Sequence, residues 1–572
     1  MKQIWLGCVL LATGLSGAVF ACPPSDADWI ARGKTEMVAA DSEFASKAGL
    51  EILKAGGNAI DAAVAVSFAL AVTRPYSTGP GGGGFMIARF ADGRIIVEDF
   101  RETAPAAATP DMYVEARRNN PDGPSPSEFG HLAVAVPGLV AGRCQALAQW
   151  GTMPLAKVLQ PAIRLARDGY AVDDDYVRAT REVLETYEKH PALKDTCGYV
   201  YRTHLGSGKL RQAEDRLVQP ELARLLEALA VEGADFFYKG VLGKAVAEAV
   251  KQNGGILTQS DMAGYAPKMR DPILCTYREY QLILMPLPSS GGIAIGETLN
   301  IYENFPRPPH LRFESFHDEH ILIEAMKHAF ADRAFWLGDR DFVEVPTKRL
   351  LSKEYAATLS RRIDIERTRE INLYGSVDSP RDSGTSHFCI VDRFGNAVVS
   401  TETINTYFGS LAAIEEWGLI LNNEMDDFTT EPGKSNAFGL VQSTANAIEP
   451  GKRPLSSMSP TIVLHEDEPV FLLGASGGPG IISSVLNVFL YVVDLHFPLQ
   501  WAIGAPRPHH QWQPDLVYFD RDPHPDIAAY VIGRGHKLAD QHKTGVVQAI
   551  LRDGEGWIGA SDPRKGGKPA GD

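Results

Sequence analysis

The sequence predicts an α+β fold in which helical and strand patterns occupy different parts of the chain. Between Thr152 and Ile256, apolar residues three and four positions apart indicate helices. Strand character begins abruptly at Thr385, where Ser386 to Val391 and Ala397 to Asn405 flank the turn-like segment Asp392 to Asn396. This is the pattern of a β-hairpin.

The elements nearest the N-terminus are predicted from their caps. A helix from Ala45 to Lys54 should end at Gly56-Gly57, because glycine suits the left-handed residue that follows many helices. Asn58 is a typical cap for a second helix, Ala59 to Val72, which Arg74-Pro75 ends. Since that helix is apolar on nearly every face, we expect it to be buried.

A run of glycines, Gly79 to Gly84, precedes a predicted strand from Phe85 to Phe90. A phosphate-binding loop would end in Lys-Ser/Thr and open a helix, and this run does neither. Close backbone packing near a site is the better interpretation.

Helices are predicted in the middle of the chain at Pro220 to Ala230 and Lys244 to Val250. The Ser- and Gly-containing segment Met285 to Gly292 leads into a further long helical pattern from Ser315 to Trp336. Leu351 to Gly384 turns polar and charged, and we expect an exposed, flexible segment there.

The hairpin's register places polar groups beside Thr385. A loop of about four or five residues puts Thr385 opposite Thr403 or Ile404, and a slip of one residue would turn every side chain to the other face. Thr403 and Asn405 should share one face of their strand, because side chains alternate. Two polar side chains are therefore expected at the open end of the hairpin.

Composition excludes some functions. The 572 residues are 44% apolar and 22% charged, the balance of a globular protein. A net charge of −15 argues against nucleic acid as a partner, since phosphate binding needs a basic surface.

The N-terminus resembles a signal peptide. Lys2 precedes an apolar stretch from Ile4 to Phe20, and small residues follow, which predicts cleavage after residue 21 and a periplasmic or secreted protein without a membrane span. Lipidation of Cys22 is the less favoured alternative. The cysteines that remain are scattered and odd in number, so they indicate no disulfide framework.

Familiar catalytic motifs are missing from the sequence. It has no HExxH and no dinucleotide fingerprint after a strand, and His509-His510 alone does not predict a metal site. A remaining possibility is an N-terminal threonine, whose own α-amine, with a pKa of about 7.7 to 8.0, serves as the base. Cleavage between Gly384 and Thr385 would create one, although most threonines that begin strands have no such role.

Taken together, the motifs resemble those of bacterial gamma-glutamyltransferases, also called gamma-glutamyltranspeptidases or glutathione hydrolases, over nearly the whole chain. The blocks that carry the resemblance stand in the family's order at residues 55–63, 81–85, 99–105, 288–292, 384–388, 422–428, 453–460 and 474–480.

The resemblance implies an N-terminal nucleophile hydrolase, a four-layer sandwich of helices around two stacked sheets. It implies self-cleavage before Thr385 into a large fragment, residues 22–384, and a small fragment, residues 385–572, which form one structural unit. Thr385 would form a gamma-glutamyl ester from a donor such as glutathione and pass it to water, an amino acid or a dipeptide. No cofactor and no metal are implied.

The resemblance also assigns the substrate contacts. Arg101, Ser456 and Ser457 would bind the α-carboxylate of the glutamyl group, and Asp427, Glu424 and Asn405 its ammonium. Gly477 and Gly478 match the pair whose backbone N–H groups hold the oxyanion. Thr403 matches the threonine that positions the nucleophile.

Two departures limit finer expectations. Glu424 stands where some members carry Gln, which leaves hydrogen bonding to the ammonium available. Pro432 to Ala445 resembles the lid of many bacterial members, but Phe438 replaces a lid Tyr that could bond to Asn405. The balance between hydrolysis and transfer is therefore open.

Two other functions remain open. A related acylase that removes glutaryl side chains from beta-lactam precursors shares the scaffold but needs no ammonium pocket, so Asp427 and Glu424 favour an amino-acid donor. An inactive homologue that acts as a periplasmic binding protein would stay a single chain.

Overall fold

Two seven-stranded sheets lie at the centre of the molecule. The computed structural model describes residues 27–306, 317–374, 385–430, 443–541 and 545–572. All neighbouring strands in both sheets pair antiparallel. The first sheet has the order Ile30–Gly33, Gly556–Ser561, Val546–Asp553, Glu468–Ser476, Thr461–His465, Tyr280–Leu284 and Ile273–Tyr277. The second has the order Ala570–Gly571, Met37–Ala40, Ser386–Val391, Ala397–Thr403, Gly83–Arg89, Ile95–Asp99 and Lys268–Met269.

The two sheets stack face to face, and helices cover their outer faces. Ser386–Val391 and Ala397–Thr403 of the second sheet both pack on Glu468–Ser476 of the first. Ala59–Thr73 covers the outer face of the second sheet, and Gly480–Val493 covers that of the first. This is the four-layer α+β sandwich that the sequence's resemblance implied.

The remaining elements surround these layers. Other helices are Glu43–Lys54, Met112–Asn119, Leu139–Trp150, Leu155–Val158, Gln160–Asp168, Asp174–Lys189, Leu193–Thr196, Gly198–Thr203, Pro220–Glu232, Ala234–Tyr238, Val241–Gln252, Gln259–Gly264, Gly291–Tyr302, His317–Trp336, Thr347–Leu350, Lys353–Ser360, Leu499–Gly504 and Pro525–Gly533. Short strand pairs are Tyr170–Ala171 with Arg216–Leu217, Ala413–Ile414 with Leu419–Ile420, and Pro508–His509 with Tyr518–Phe519. Single 3-10 turns are His131–Ala133, Gly206–Gly208, Ile371–Leu373, Glu415–Trp417, Glu424–Asp427 and Thr444–Asn446.

The caps predicted near the N-terminus are present. The side chain of Asn58 accepts from the backbone N–H groups of Ile60 and Asp61, and the Asp61 carboxylate accepts from the N–H of Asn58 in return. Every residue of the helix Ala59–Thr73 is buried, as its all-round apolar pattern predicted. Gly56 follows the preceding helix with a φ of 93°, the left-handed conformation that glycine tolerates.

Two predictions in the middle of the chain need correction. A helix, Gly291–Tyr302, begins at the glycine pair and precedes His317–Trp336, so Met285 to Gly292 does not lead directly into the long helix. The segment after Leu351 is not simply exposed, because the helix Lys353–Ser360 buries Ala356 and Leu359. These two apolar residues, three positions apart, anchor the short helix to the core. Residues 375–384 lie outside the described residues.

The hairpin forms with one of the two predicted registers. Ser386 pairs with Glu402 and Val391 with Ala397, which aligns Thr385 with Thr403 rather than with Ile404. The strand ends at Thr403, and Asn405 has a positive φ of 78°. Asn405 therefore leaves the strand, and its place beside Thr403 depends on a turn rather than on strand alternation.

The glycine run packs backbone against backbone, as expected. A Cβ atom at Gly81 would overlap the carbonyl oxygen of Ile420, and one at Gly82 would overlap that of Thr403. Gly84 meets the carbonyl oxygen of Thr401 in the same way. Glycine is thus required where the loop passes the end of the hairpin.

Several expectations lie outside the described residues: the signal peptide at residues 1–21, Cys22, Gly384, and Phe438 with residues 432–442 of the lid-like segment. Within the described residues, none of the helices combines the length and apolar character needed to cross a bilayer. Cys144, Cys197, Cys275 and Cys389 are free thiols.

Candidate active site

Thr385 directly precedes the first strand of the hairpin, Ser386–Val391, and contacts the end of the second strand. Its Oγ1 lies 3.5 Å from Oγ1 of Thr403, a long hydrogen bond. The backbone N–H of Asn405 donates to the same Thr403 oxygen over 2.8 Å. Thr403 is therefore fixed by its own turn and holds a hydroxyl against the hydroxyl of Thr385.

A small pocket opens beside these two threonines. Its wall brings together most of the residues that the sequence singled out, although they lie far apart in the chain. The lining residues are Arg101, Thr385, Thr403, Asn405, Glu424, Asp427, Leu455, Ser456, Ser457, Met458, Gly478 and Ile481. Among the predicted site residues that the structure describes, Gly477 is the one that is not part of this wall.

One side of the pocket carries buried charges of both signs. The guanidinium of Arg101 donates to Glu424 and to Asp427, and its Nε donates to the carbonyl oxygen of Pro454 over 3.2 Å. Burial raises the pKa of both carboxyl groups, while the nearby Arg101 charge opposes that rise. Burial likewise raises the pKa of the adjacent Glu102 to about 7. The pocket thus offers both an acidic and a basic group to a ligand.

The serine pair lies on another part of the wall. The hydroxyl oxygen of Ser456 accepts from the backbone N–H of Met458 over 3.1 Å, and that of Ser457 accepts from Arg333 over 3.3 Å. The backbone N–H of Ser456 donates to the carbonyl oxygen of Pro288, which ties the pair to the segment at 288–292. Both hydroxyls are therefore held in place at the pocket surface.

Gly477 and Gly478 join a strand to a helix. The strand Glu468–Ser476 ends before them and the helix Gly480–Val493 begins after them. Their φ angles are 119° and 51°, which side chains rarely adopt. Gly478 reaches the pocket wall, at the N-terminal end of a helix, where backbone N–H groups favour negative charge.

Two buried cations near the site were not identified from the sequence. The ammonium of Lys565 donates to the carbonyl oxygen of Thr385 over 2.6 Å and pairs with Asp41 over 2.7 Å. Arg333 stands behind Ser457. No sequence motif indicates either residue, because each reaches the site through packing between parts of the chain that are far apart in sequence.

A histidine cluster away from the pocket meets the geometry of a metal site. Ligand atoms of His320, Glu324 and His536 lie within 4.8 Å of one another. However, Nδ1 of His320 and Nε2 of His536 are 2.7 Å apart and bond to each other, and Lys327 donates to Glu324 over 3.0 Å. These hydrogen bonds already provide partners within the protein for the atoms that would bind a metal ion.

The chain is similar to known enzymes over nearly its whole length. The sequence profile described as Gamma-glutamyltranspeptidase matches residues 45–572. A glutathione hydrolase proenzyme of Escherichia coli (strain K12) is 42% identical over 99% of this chain and 98% of its own. An acylase ACY 1 proenzyme of Pseudomonas sp. (strain SE83) is 38% identical over 94% of each chain.

A solved structure agrees with these sequence matches. The cephalosporin acylase from Bacillus halodurans superimposes with a TM-score of 0.85 at 27% identity, covering 98% of this chain and 99% of that one. The profile match and the full-length relatives show that this chain belongs to the gamma-glutamyltranspeptidase family.

Proposed function

We propose that this chain is a glutathione hydrolase and gamma-glutamyltransferase in which Thr385 is the nucleophile. The observation that carries the proposal is the pocket, whose lining combines Thr385 with the carboxyl groups of Glu424 and Asp427 and the guanidinium of Arg101. The amino-acid end of a gamma-glutamyl donor carries one charge of each sign, and both need partners when they leave water. Full-length glutathione hydrolase proenzymes support the same activity.

Cleavage of the bond between Gly384 and Thr385 makes the threonine N-terminal. Its α-amine then takes the hydroxyl proton while Oγ1 attacks the γ-carbonyl carbon of the donor. The charge that develops on the carbonyl oxygen is taken by the backbone N–H groups of Gly477 and Gly478. The protonated amine returns the proton to the leaving nitrogen, which leaves a gamma-glutamyl ester on Thr385.

The ester is resolved by water, which yields glutamate, or by the amine of an amino acid or dipeptide. Thr403 holds the Thr385 hydroxyl in line during both steps. The donor's ammonium is assigned to Asp427, Glu424 and Asn405, and its carboxylate to the side of the pocket formed by Arg101, Ser456 and Ser457. None of these steps needs a cofactor.

The acylase relative supports a second candidate, an acylase, and the alternative that the sequence left open is hydrolysis of glutaryl amides. A glutaryl group has the carboxylate but lacks the ammonium. Two carboxyl groups on the pocket wall would then face an apolar methylene. Their burial would cost free energy, and no ammonium would compensate for it. Relative rates on gamma-glutamyl and glutaryl anilides separate the two functions, and a preference for the glutaryl compound would replace the first proposal by the second.

The large fragment, residues 22–384, and the small fragment, residues 385–572, are proposed to remain together as one heterodimer. Export through the signal peptide at residues 1–21 would place this heterodimer in the periplasm or outside the cell.

Substitution of the nucleophile tests the proposal. Thr385→Ala should remain one chain and lose all hydrolysis of gamma-glutamyl anilide, because both self-cleavage and ester formation need the hydroxyl. Thr385→Ser, which keeps a hydroxyl, should still be processed and retain part of the activity. Intact mass and N-terminal sequencing give the cleavage site. Unchanged activity in Thr385→Ala, or a wild-type protein that stays one chain, would refute the assignment.

A further inference from the structure

The last residues of the chain cross from the first sheet to the second. The strand Gly556–Ser561 belongs to the first sheet and Ala570–Gly571 to the second, and Lys565 lies on the segment between them. This segment packs tightly, because a Cβ atom at Gly567 would overlap the carbonyl oxygen of Ala40. Lys565 is buried. Its side chain is therefore held between the ends of the two sheets.

Three acceptors surround the ammonium of Lys565. It donates to the Asp41 carboxylate over 2.7 Å, to the carbonyl oxygen of Thr385 over 2.6 Å and to the hydroxyl of Ser476 over 3.3 Å. An ammonium has three N–H bonds, so each of them has an acceptor. Burial lowers the pKa of Lys565, and the attraction of Asp41 opposes that fall. The three contacts favour the charged form of the side chain.

The contact with Thr385 takes the place of a strand neighbour. The strand that follows Thr385 pairs with Met37–Ala40 no further than Phe388, so the backbone of Thr385 lies beyond that ladder. The ammonium of Lys565 donates to its carbonyl oxygen instead. The hydroxyl of Thr385 contacts Thr403 on the other side. One contact at the backbone and one at the side chain therefore fix the orientation of Thr385.

The same contact brings a positive charge close to the α-amine that cleavage would create. The nitrogen and the carbonyl oxygen of one residue are at most about 3.6 Å apart, so the Lys565 ammonium lies within about 6 Å of the Thr385 nitrogen. A neighbouring cation disfavours protonation and lowers the pKa of an amine. Since an α-amine has an ordinary pKa of about 7.7 to 8.0, a modest fall makes more of it available as a base at neutral pH.

The other titratable groups around Lys565 are paired or neutral. Asp41 pairs with Lys565 itself and also accepts from the amide of Gln548 over 2.8 Å. On the hairpin, burial lowers the pKa of His387 to about 3 and raises that of Cys389, so both side chains are neutral. Ionised groups on the adjoining segments occur in pairs: Arg74 with Asp173, Arg178 with Asp175, Arg507 and Arg564 with Asp562, and, in the pocket wall, Arg101 with Glu424 and Asp427. Asp41 offsets part of the Lys565 charge, but it is the ammonium that contacts Thr385.

We propose that Lys565 is a positioning residue for the nucleophile, which holds the carbonyl of Thr385 so that its hydroxyl and α-amine face the pocket and which favours the neutral amine. Lys565 is not among the residues that line the pocket, so it acts through Thr385 and not on the donor. The inference rests on the proposed role of Thr385 as nucleophile. It does not depend on which acyl group the pocket prefers.

Lys565→Met tests the proposal in the processed enzyme with gamma-glutamyl anilide. The kcat should fall about 10- to 100-fold, the usual size for a hydrogen bond to a charged group, while KM changes less than about 3-fold. The acid limb of kcat against pH should move up by about 0.5 to 1 pH unit, because loss of the cation raises the pKa of the amine. A purely structural role would lower kcat without moving this limb.

Two further variants separate the effect of charge from that of packing. Lys565→Arg keeps the cation, so its acid limb should stay within about 0.3 pH unit of the wild-type limb, whatever its effect on kcat. Lys568→Met is the matched control from the same segment. That lysine is 40% exposed and lies 3.8 Å from Asp28 and 3.7 Å from Glu43, so its loss should leave both kcat and the acid limb unchanged.

An unmoved acid limb in Lys565→Met, or an equal shift in Lys565→Arg, would overturn the inference. If Lys565→Met is not processed, the double variant Asp41→Asn/Lys565→Met replaces it, because that variant leaves no carboxylate at residue 41 without its cation, and the same shift is expected. If neither is processed, Lys565→Arg decides: an unmoved limb supports the inference and a shifted limb overturns it.

The wild-type enzyme separates this inference from the proposed function. If it prefers glutaryl anilide, the proposed donor is replaced, and the same shift of the acid limb is expected with that substrate. A wild-type protein that cleaves neither anilide overturns the proposed function and the inference with it, whereas the results with the Lys565 variants concern the inference alone.

Discussion

At the scale of single residues, the pocket's charges are set by burial as much as by residue type. Glu424 and Asp427 are enclosed with Arg101, and burial raises the pKa of both carboxyl groups. A carboxyl group binds an ammonium only in its ionised form. As the pH falls through a raised pKa, the carboxyl becomes neutral, so the ammonium loses its partner at a higher pH than it would with an exposed Asp or Glu.

Inhibition by glutamate should therefore depend on pH in a predictable direction. Its affinity should rise as the pH increases above the ordinary carboxyl range, because burial raises the pKa of Asp427 and Glu424 and so moves their ionisation to higher pH. Glutarate, which lacks the ammonium, should show the reverse trend, since the new negative charges repel it. Inhibition constants against gamma-glutamyl anilide between about pH 5 and 8 measure both trends. Parallel trends for the two inhibitors would contradict the assignment of the ammonium to these carboxylates.

The residues of this pocket could be identified from the sequence only because several motifs occur together. Asp427 or Ser456 alone is indistinguishable from a cap or a turn residue, and the resemblance supplied their roles. Arg333 was missed because it lies in the helix His317–Trp336, where an isolated arginine usually faces solvent. Its burial depends on how that helix packs against the serine pair, which no local pattern encodes.

At the scale of elements, local signals were reliable where one short segment decides the structure. Asn58 and Asp61 cap their helix, and a short turn fixes the hairpin to within one residue. Asn405 departs from strand alternation because the strand ends at Thr403. Neither strand length nor the left-handed turn that follows is set by alternation of apolar residues.

The glycine run allows a direct test at this scale. Gly82→Ala should lower the melting temperature and impair self-cleavage, because its Cβ atom would overlap the carbonyl oxygen of Thr403 and push the hairpin end away from Thr385. Gly79→Ala is the matched control, since a Cβ atom there meets nothing within 4 Å. Thermal melts and the extent of processing measure both variants. A Gly82→Ala protein as stable and as fully processed as the control would show that the close approach is not required.

At the scale of the whole molecule, the sequence alone did not determine which strands are neighbours. Antiparallel partners such as Ile30–Gly33 and Gly556–Ser561 come from opposite ends of the chain. Their pairing follows from the packing of entire layers, so only the resemblance to a family predicted the sandwich. The same long-range pairing decides what cleavage before Thr385 does to the protein.

Five of the strand pairings in the described residues join strands from the two sides of that bond, in both sheets. Met37–Ala40, for example, lies between Ser386–Val391 and Ala570–Gly571. Separating the fragments would therefore expose buried backbone and side chains along five strand edges, at a cost comparable to unfolding.

We expect the processed protein to keep the combined mass of both fragments in native mass spectrometry, at low concentration and in about 1 M salt, where surface ion pairs are screened. The fragments should separate only in the denaturant range in which circular dichroism shows loss of the sheets. The uncleaved Thr385→Ala protein is the control for unfolding without dissociation. Release of the small fragment while the sheets remain intact would mean that cleavage divides the molecule into two independent units, contrary to the interleaved strand order.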